Sequence, residues 1–241
     1  MKRIFTTFNE KWPEYILEIL VITIGILGAF ALNRWKENRD NAVTEVQILK
    51  EIRGNLKDDL LGIQDDLMHM ESVRQGGLHI LEFIENNDAP TVDFSNSMAR
   101  LRVTPHFDPN NSGYELLISK GVGIIQNDSL RQSITKLFES TYSYYRRYED
   151  ERVQTRIHHI TPGLMEYSMA DIDVWDNTFL GDYGTFEVSP SDYARLKEEK
   201  KFRKLVRMIL NENEGVRYRA RKVEKGIKQL IEDLNIELEQ L

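Results

Sequence analysis

The sequence predicts a mainly α-helical protein, with one N-terminal transmembrane helix continuing into an elongated antiparallel helical bundle of coiled-coil-like character. Three observations predict it. Tyr15 to Trp35, YILEILVITIGILGAFALNRW, is mostly apolar and reaches the roughly 20 residues that a helix needs to cross a bilayer core. Two later stretches place apolar residues alternately three and four apart, the pattern of a helix with one buried face. Six prolines and 14 glycines in 241 residues are too few for a turn-rich β fold, and the 29% of charged residues suits long helices with solvated faces. The expected organisation is an N-terminal flank (1–14), the span (15–35) and a helical domain (36–241) large enough for its own core.

Trp12, Tyr15 and Trp35 flank the span at the interface positions that aromatic residues favour. Ala29-Phe30-Ala31 resembles a signal-peptidase site, but Glu10, Glu14 and Glu18 are foreign to a basic leader flank. Lys2, Arg3 and Lys11 before the span balance Arg34, Lys36 and Arg39 after it, so the positive-inside count is a tie. The free amino terminus and the acidic residues after Trp35 favour a cytoplasmic N-terminus. The domain then lies outside the cytoplasm. Within the span, Glu18, Gly25 and Ala29 share one face. Gly25-x-x-x-Ala29 lets two helix backbones approach closely, so this face is the candidate for self-association. Glu18 is either a pairing group in the membrane or a side chain reaching water within one turn of the interface.

After the span, Val46, Leu49, Leu56, Leu60, Ile63, Leu67 and Met70 form one seam, interrupted by Arg53. The helix is expected to end near Glu85, with Gly76-Gly77 as a break. A turn-rich connection follows, holding a short helix around 95–102. Tyr114 to Lys120 reads as a helix closed by Gly121 in a left-handed cap. Asn127-Asp128 caps a helix with Leu130, Ile134, Leu137, Phe138 and Thr141 on one face, expected to stop near His159, before Pro162. Residues 171–190 have no helical period and read as a loop or small hairpin. Ser191-Asp192 caps a last helix whose seam includes Phe202, Leu205, Ile209, Val216, Val223, Ile227, Leu230 and Leu234. From Glu45 to Asp88 four basic residues stand against ten acidic; from Arg195 to Lys228 thirteen basic stand against five acidic. Opposite charge predicts that these two helices pair, and antiparallel pairing returns the C-terminus toward the membrane.

Two blocks carry a resemblance. E-I-L-V-x-x-I-G-I-L-x-A-x-x-x-N-x-W, Glu18 to Trp35, resembles the opening of a family of single-span Gram-negative bacterial membrane proteins described only as a domain of unknown function. SGYELLISKGVGIIQNDSLRQSITKLFESTY, Ser112 to Tyr142, resembles that family's other recurring segment. The resemblance implies a membrane-anchored helical protein and brings no reaction, ligand or catalytic residue with it.

The remaining chemistry is sparse. A net charge of −7 disfavours a general nucleic-acid binder. Absence of cysteine excludes disulfides, thiolate metal sites and a cysteine nucleophile. Asp66-x-x-His69 occurs once, whereas a di-iron bundle needs the motif twice and two further glutamates, so no metal or other cofactor is expected. Gly121-x-Gly123 lacks the third glycine of a dinucleotide loop. The unusual stretch is Thr141 to Arg156, where Tyr142, Tyr144, Tyr145 and Tyr148 interleave with Arg146, Arg147, Arg152 and Arg156. Tyrosine and arginine are enriched at binding hot spots, which makes Tyr142, Tyr144, Tyr145, Arg146 and Tyr148 the candidate ligand- or partner-binding set. The plainer alternative puts two tyrosines in the core, two at its rim, and pairs the arginines with Glu149, Asp150 and Glu151.

The expected function is a non-enzymatic, membrane-anchored helical scaffold or sensor of the bacterial envelope, self-associating and engaging an envelope protein. The alternative is a small-molecule-binding sensor using the Tyr142–Tyr148 aromatics and the 171–190 loop. A third reading, a tethered enzyme using Glu115, His106 and Asp108, needs a buried, perturbed carboxylate beside a histidine in a sizeable pocket.

Overall fold

The computed structural model describes residues 2–171 and 185–241. The elements in chain order are α1 (Lys2–Asn86), α2 (Val92–Arg100) and α3 (Ser112–Lys120), then a 3₁₀ turn (Val122–Ile124). A long interrupted helix follows: α4 (Asp128–Thr135), π1 (Lys136–Tyr142), α5 (Ser143–Thr155), π2 (Arg156–Ile160) and α6 (Thr161–Met165). Strands β1 (Met169–Asp171) and β2 (Thr185–Glu187) and helices α7 (Pro190–Glu198) and α8 (Lys200–Gln240) complete it. The fold is mainly α, as the sequence predicts. The expected loop or hairpin falls partly on residues 172–184, outside the described residues; its two ends pair antiparallel, with Ala170 opposite Phe186.

α1 is one helix of 85 residues, so neither expected boundary, at 14/15 or at 35/36, interrupts its backbone. Every residue from Tyr15 to Val43 is exposed, including Ile16, Leu20, Ile24 and Leu27. An apolar surface this long has to be covered by lipid or by protein, and the helix is long and apolar enough there to cross a membrane. Within it, the Thr23 hydroxyl donates to the Ile19 carbonyl at 2.7 Å, so that polar group is satisfied inside the helix. Burial begins at Glu45.

α8 lies antiparallel against the second half of α1. Arg53 donates to Asn235 at 3.0 Å, Gln64 to Glu224 at 3.1 Å, and Arg217 to Glu71, so numbers rise on one helix as they fall on the other. The C-terminal end of α8 therefore returns to the start of the packed part of α1, as expected. Buried positions on α8 run Phe202, Val206, Ile209, Asn213, Val216, Ala220, Val223, Ile227, Leu230 and Leu234, four and three apart, with Arg217 buried beside Val216. On α1 the predicted seam is off-centre. Ile48 and Ile52 are fully buried, while Val46, Leu60 and Leu67 sit at its edges. Arg217–Glu71 crosses between the helices in the sense of the charge asymmetry, and Arg74–Glu214 crosses in the opposite sense. Lys204, Arg207, Arg221, Lys222 and Lys225 instead face solvent.

The predicted break at Gly76-Gly77 is absent, because both glycines are packing sites. A Cβ on Gly77 would lie 2.7 Å from Leu210 of α8, and one on Gly76 would lie 3.0 Å from the Arg100 Cβ of α2. The short helix expected at 95–102 is α2, which starts earlier because the Thr91 side chain accepts from the Phe94 N–H. α3 starts at Ser112, where the Gly113 N–H donates to Asn55 of α1 at 2.9 Å. Gly121 has φ 90°, but its ψ of 126° is not the left-handed cap geometry predicted.

The helix expected to stop near His159 passes Pro162 and ends at Met165. π2 is what allows this. The Thr161 N–H bonds back five residues to the Arg156 carbonyl, and the wider turn accommodates a proline that has no N–H to donate. π1 inserts an extra residue into the buried stripe, so that it continues through Tyr142 and Tyr145, with Thr141 left half-buried. The last helix is two: Ser189, not Ser191, caps α7, and Glu199 leaves helical geometry at ψ 113° before α8 starts.

Gly113 is the tightest backbone approach of this frame, since a Cβ there would lie 2.8 Å from the Ile52 backbone nitrogen. Gly113→Ala is expected to cost about 1–3 kcal/mol by overpacking. Gly54→Ala, where nothing lies within 4 Å, should stabilise the chain by about 0.5–1 kcal/mol. Thermal melts of the two variants check this.

Candidate functional site

The core divides in two. One apolar cluster holds Ile48 to Met70 of α1 with Val216 to Leu234 of α8. The other holds Val73 to Ile84 with Phe202 to Ile209 and carries Tyr167 and Tyr193. Between them lies a layer of charge. Along α5 and π2 the buried stripe passes from Tyr145 to Glu149, Arg152 and Arg156 before turning apolar again at Ile160. Glu212 and the fully buried Asn213 of α8 face the same layer, and Asp66 of α1 contributes a carboxylate.

Arg152 is 3% exposed and lies 3.6 Å from Glu212; Arg156 lies 3.9 Å from the same carboxylate. Arg156 also donates to the Leu101 carbonyl at 3.1 Å, tying the layer to the end of α2. These arginines pair across helices, not with Glu149, Asp150 and Glu151 on their own helix. Burial lowers both guanidinium pKa values, that of Arg156 to about 10, with Arg152 adding repulsion. Burial likewise raises Glu212 against the pull of the two arginines. Asn213 donates to the Met70 carbonyl at 2.7 Å.

On the other flank, Glu149 accepts from the Phe107 N–H at 3.2 Å and lies 3.6 Å from His106. Burial pushes its carboxyl up to about 7, with the Asp66 charge adding to the push. Asp66 is pushed up to about 6 by burial and by Asp65, against His69, His106 and Arg152. Asp65 instead pairs with His69 at 3.4 Å on the exposed side of the helix. A buried, perturbed carboxylate beside a histidine is thus present at Glu149–His106. None of the three cavities described next is lined by either residue or by Asp108, and Glu115 lines only one of them.

The first of those cavities, about 460 Å³, is an open groove between α3 and π1. Tyr114 and Phe138 stack in parallel on its floor, centroids 4.5 Å apart. Glu115, Glu139, Tyr142 and Arg146 line it, and Tyr114 donates to Glu139 at 2.9 Å. A second cavity of about 260 Å³ has Arg102, Thr104, Arg156 and Thr161 in its wall. A third, about 590 Å³, lies between the top of α1 and α7.

The structure splits the five predicted binding residues. Tyr142 and Tyr145 are core, with Tyr142 donating to Asp59 at 2.9 Å. Tyr144 and Tyr148 are drawn to α8, where the Arg219 guanidinium lies 3.7 Å from the Tyr148 ring centroid and 5.8 Å from that of Tyr144. Arg146 shares the groove with one edge of Tyr142. Glu18, Gly25 and Ala29 are all exposed, and nothing lies within 4 Å of a Cβ placed on Gly25. Among the described residues no group of three or more His, Asp or Glu is placed to hold a metal.

A family of unknown function, DUF6090, matches residues 18–164. The chain belongs to this family. The match takes in both blocks quoted from the sequence and ends inside α6, so α7 and α8 lie beyond it. No curated protein and no solved structure matches the chain.

Asp66 and Glu149 hold their protons more tightly folded than unfolded. Their contribution to stability is therefore complete below the ordinary carboxylate range of about 4, and is lost as the pH rises through about 6 and 7. Asp66→Asn and Glu149→Gln should each flatten the fall in melting temperature between acid and pH 8, gaining on the order of 1 kcal/mol at pH 8 after allowance for solvent screening. At the other flank, Arg152→Met leaves Glu212 short of a partner and is expected to cost about 3–5 kcal/mol. Adding Glu212→Leu should restore much of it. Denaturant titrations of the single and double variants read both terms.

Proposed function

We propose that the protein is a non-enzymatic helical scaffold or sensor anchored in the inner membrane of a Gram-negative bacterium. It works by association of its spans and of its bundle with an envelope protein. The observation that carries this reading is the continuity of α1. The exposed apolar segment and the central helix of the bundle are one rigid rod, so a change of packing at either end displaces the other. The charged layer adds a place where the bundle can respond. Two carboxyls with raised pKa values interrupt the core at its midpoint, and conditions that ionise them weaken the packing there. The bundle is proposed to be periplasmic and the N-terminus cytoplasmic, from the acidic residues that follow Trp35.

The chain has no cysteine, so single introduced cysteines report cleanly. Gly25→Cys and Ala29→Cys are expected to give disulfide-linked dimers in membranes, and Leu27→Cys, on the opposite side of the helix, is not. Uniform absence of cross-links along 22–32 would overturn span association. Val92→Cys, exposed at the far end of the bundle, should react with a membrane-impermeant maleimide in spheroplasts. Labelling only after lysis would place the bundle in the cytoplasm.

The groove over the Tyr114–Phe138 stack favours a second reading, a sensor of a small molecule with an aromatic or apolar body and a charged group to meet Glu115, Glu139 or Arg146. Native mass spectrometry of protein extracted in mild detergent separates the two. A homo-oligomer or a stoichiometric protein partner supports the scaffold. A monomer carrying a small bound mass supports the sensor.

A further inference from the structure

The end of the bundle nearest the apolar segment is built unlike the rest of the molecule. α3 runs down α1 from Gly113, which touches Ile52, and its turn comes back at Gln126, whose N–H donates to Glu45 at 2.8 Å. Between them Lys120, Gly121, Val122 and Gly123 form an exposed tip, and no Cβ placed on either glycine would meet a neighbour within 4 Å. Ile118 is 50% exposed and Val122 38%, beside Lys120. From Leu116 to Asn127 the chain has no acidic residue, although its net charge is −7. Two carboxylates hold the base of the turn: Glu45 accepts from the Gln126 N–H, and Glu237 from the Asn127 amide at 2.6 Å. Leu241, which follows the last residue of α8, arrives at the same end and is 58% exposed.

The tip also lies close to where the span ends. Ten residues of α1 separate Trp35 from Glu45, a rise of about 15 Å. The headgroup layer occupies about 5–8 Å of that distance. A tilt of about 20°, ordinary for a single span, lowers the α3 side toward the surface. Apolar side chains next to a lysine, in a segment with no acidic residue of its own, are the composition that rests on an anionic lipid interface.

We propose that the Ile118–Gly123 tip docks on the lipid surface of the membrane that holds the span, with Val122 and Ile118 at the headgroup boundary and Lys120 on anionic headgroups. The bundle is thereby tethered at two points, which fixes its tilt. The proposal rests on the membrane-anchored reading, and its test keeps the two apart. Full-length protein carrying a nitrobenzoxadiazole label at Leu27→Cys, Val122→Cys or Val92→Cys is placed in vesicles of phosphatidylcholine and phosphatidylglycerol. Some of the lipids carry a nitroxide quencher, and iodide is added from the aqueous side. The expected result is lipid quenching at positions 27 and 122, loss of iodide quenching at 122 relative to 92, and partial recovery of it when Lys120→Glu is added. If 27 is quenched by lipid but 122 behaves as 92 does, the tip does not touch the membrane and the proposal falls alone. If 27 is not quenched by lipid, the anchored reading falls and the tip proposal with it.

Discussion

Everything above the span depends on the antiparallel pairing of α1 and α8. The second half of α1 is amphipathic and cannot stay folded in water with its Ile48–Ile84 face uncovered. α8 covers that face with a matching four-three repeat. The long interrupted helix from Asp128 to Met165, with α2 and α3, then closes the remaining sides. Because α1 continues without a break through the exposed apolar segment, that segment extends directly from the helix on which the core is built.

The charged layer is the price of a specific register. Apolar seams with a regular repeat can slide by a heptad at little loss. Asn213 bonds to the Met70 carbonyl, and Arg152 and Arg156 gather on Glu212, contacts that a heptad slip would separate. Buried ion pairs are poor sources of net stability. The raised carboxyls of Asp66 and Glu149 show the strain of that burial.

The Thr141 to Arg156 stretch is divided between core, rim and groove. Tyr142 and Tyr145 continue the buried stripe, Tyr144 and Tyr148 clasp Arg219, and only Arg146 with an edge of Tyr142 faces a cavity. A signal for the charged layer was present. The same four-three spacing that marks Tyr142 and Tyr145 continues through Glu149, Arg152 and Arg156, and Asn213 sits at a core position between Ile209 and Val216. Polar residues at core positions are what a hydrophobicity pattern passes over.

By itself the sequence determined what local physics controls. The apolar run at Tyr15–Trp35, the two seams, their opposite charge and the caps at Asn127 and in the Ser189–Asp192 region follow from periodicity and side-chain chemistry within a few residues of each other. Tertiary structure decided what depends on distant neighbours. Gly76-Gly77 is helical because α2 and α8 need the space. Pro162 is passed because π2 widens the turn. Arg152 and Arg156 answer to Glu212, some 60 residues away in the chain, and not to the acids beside them. No window of sequence contains both partners of such a contact, so only the folded chain could choose between them.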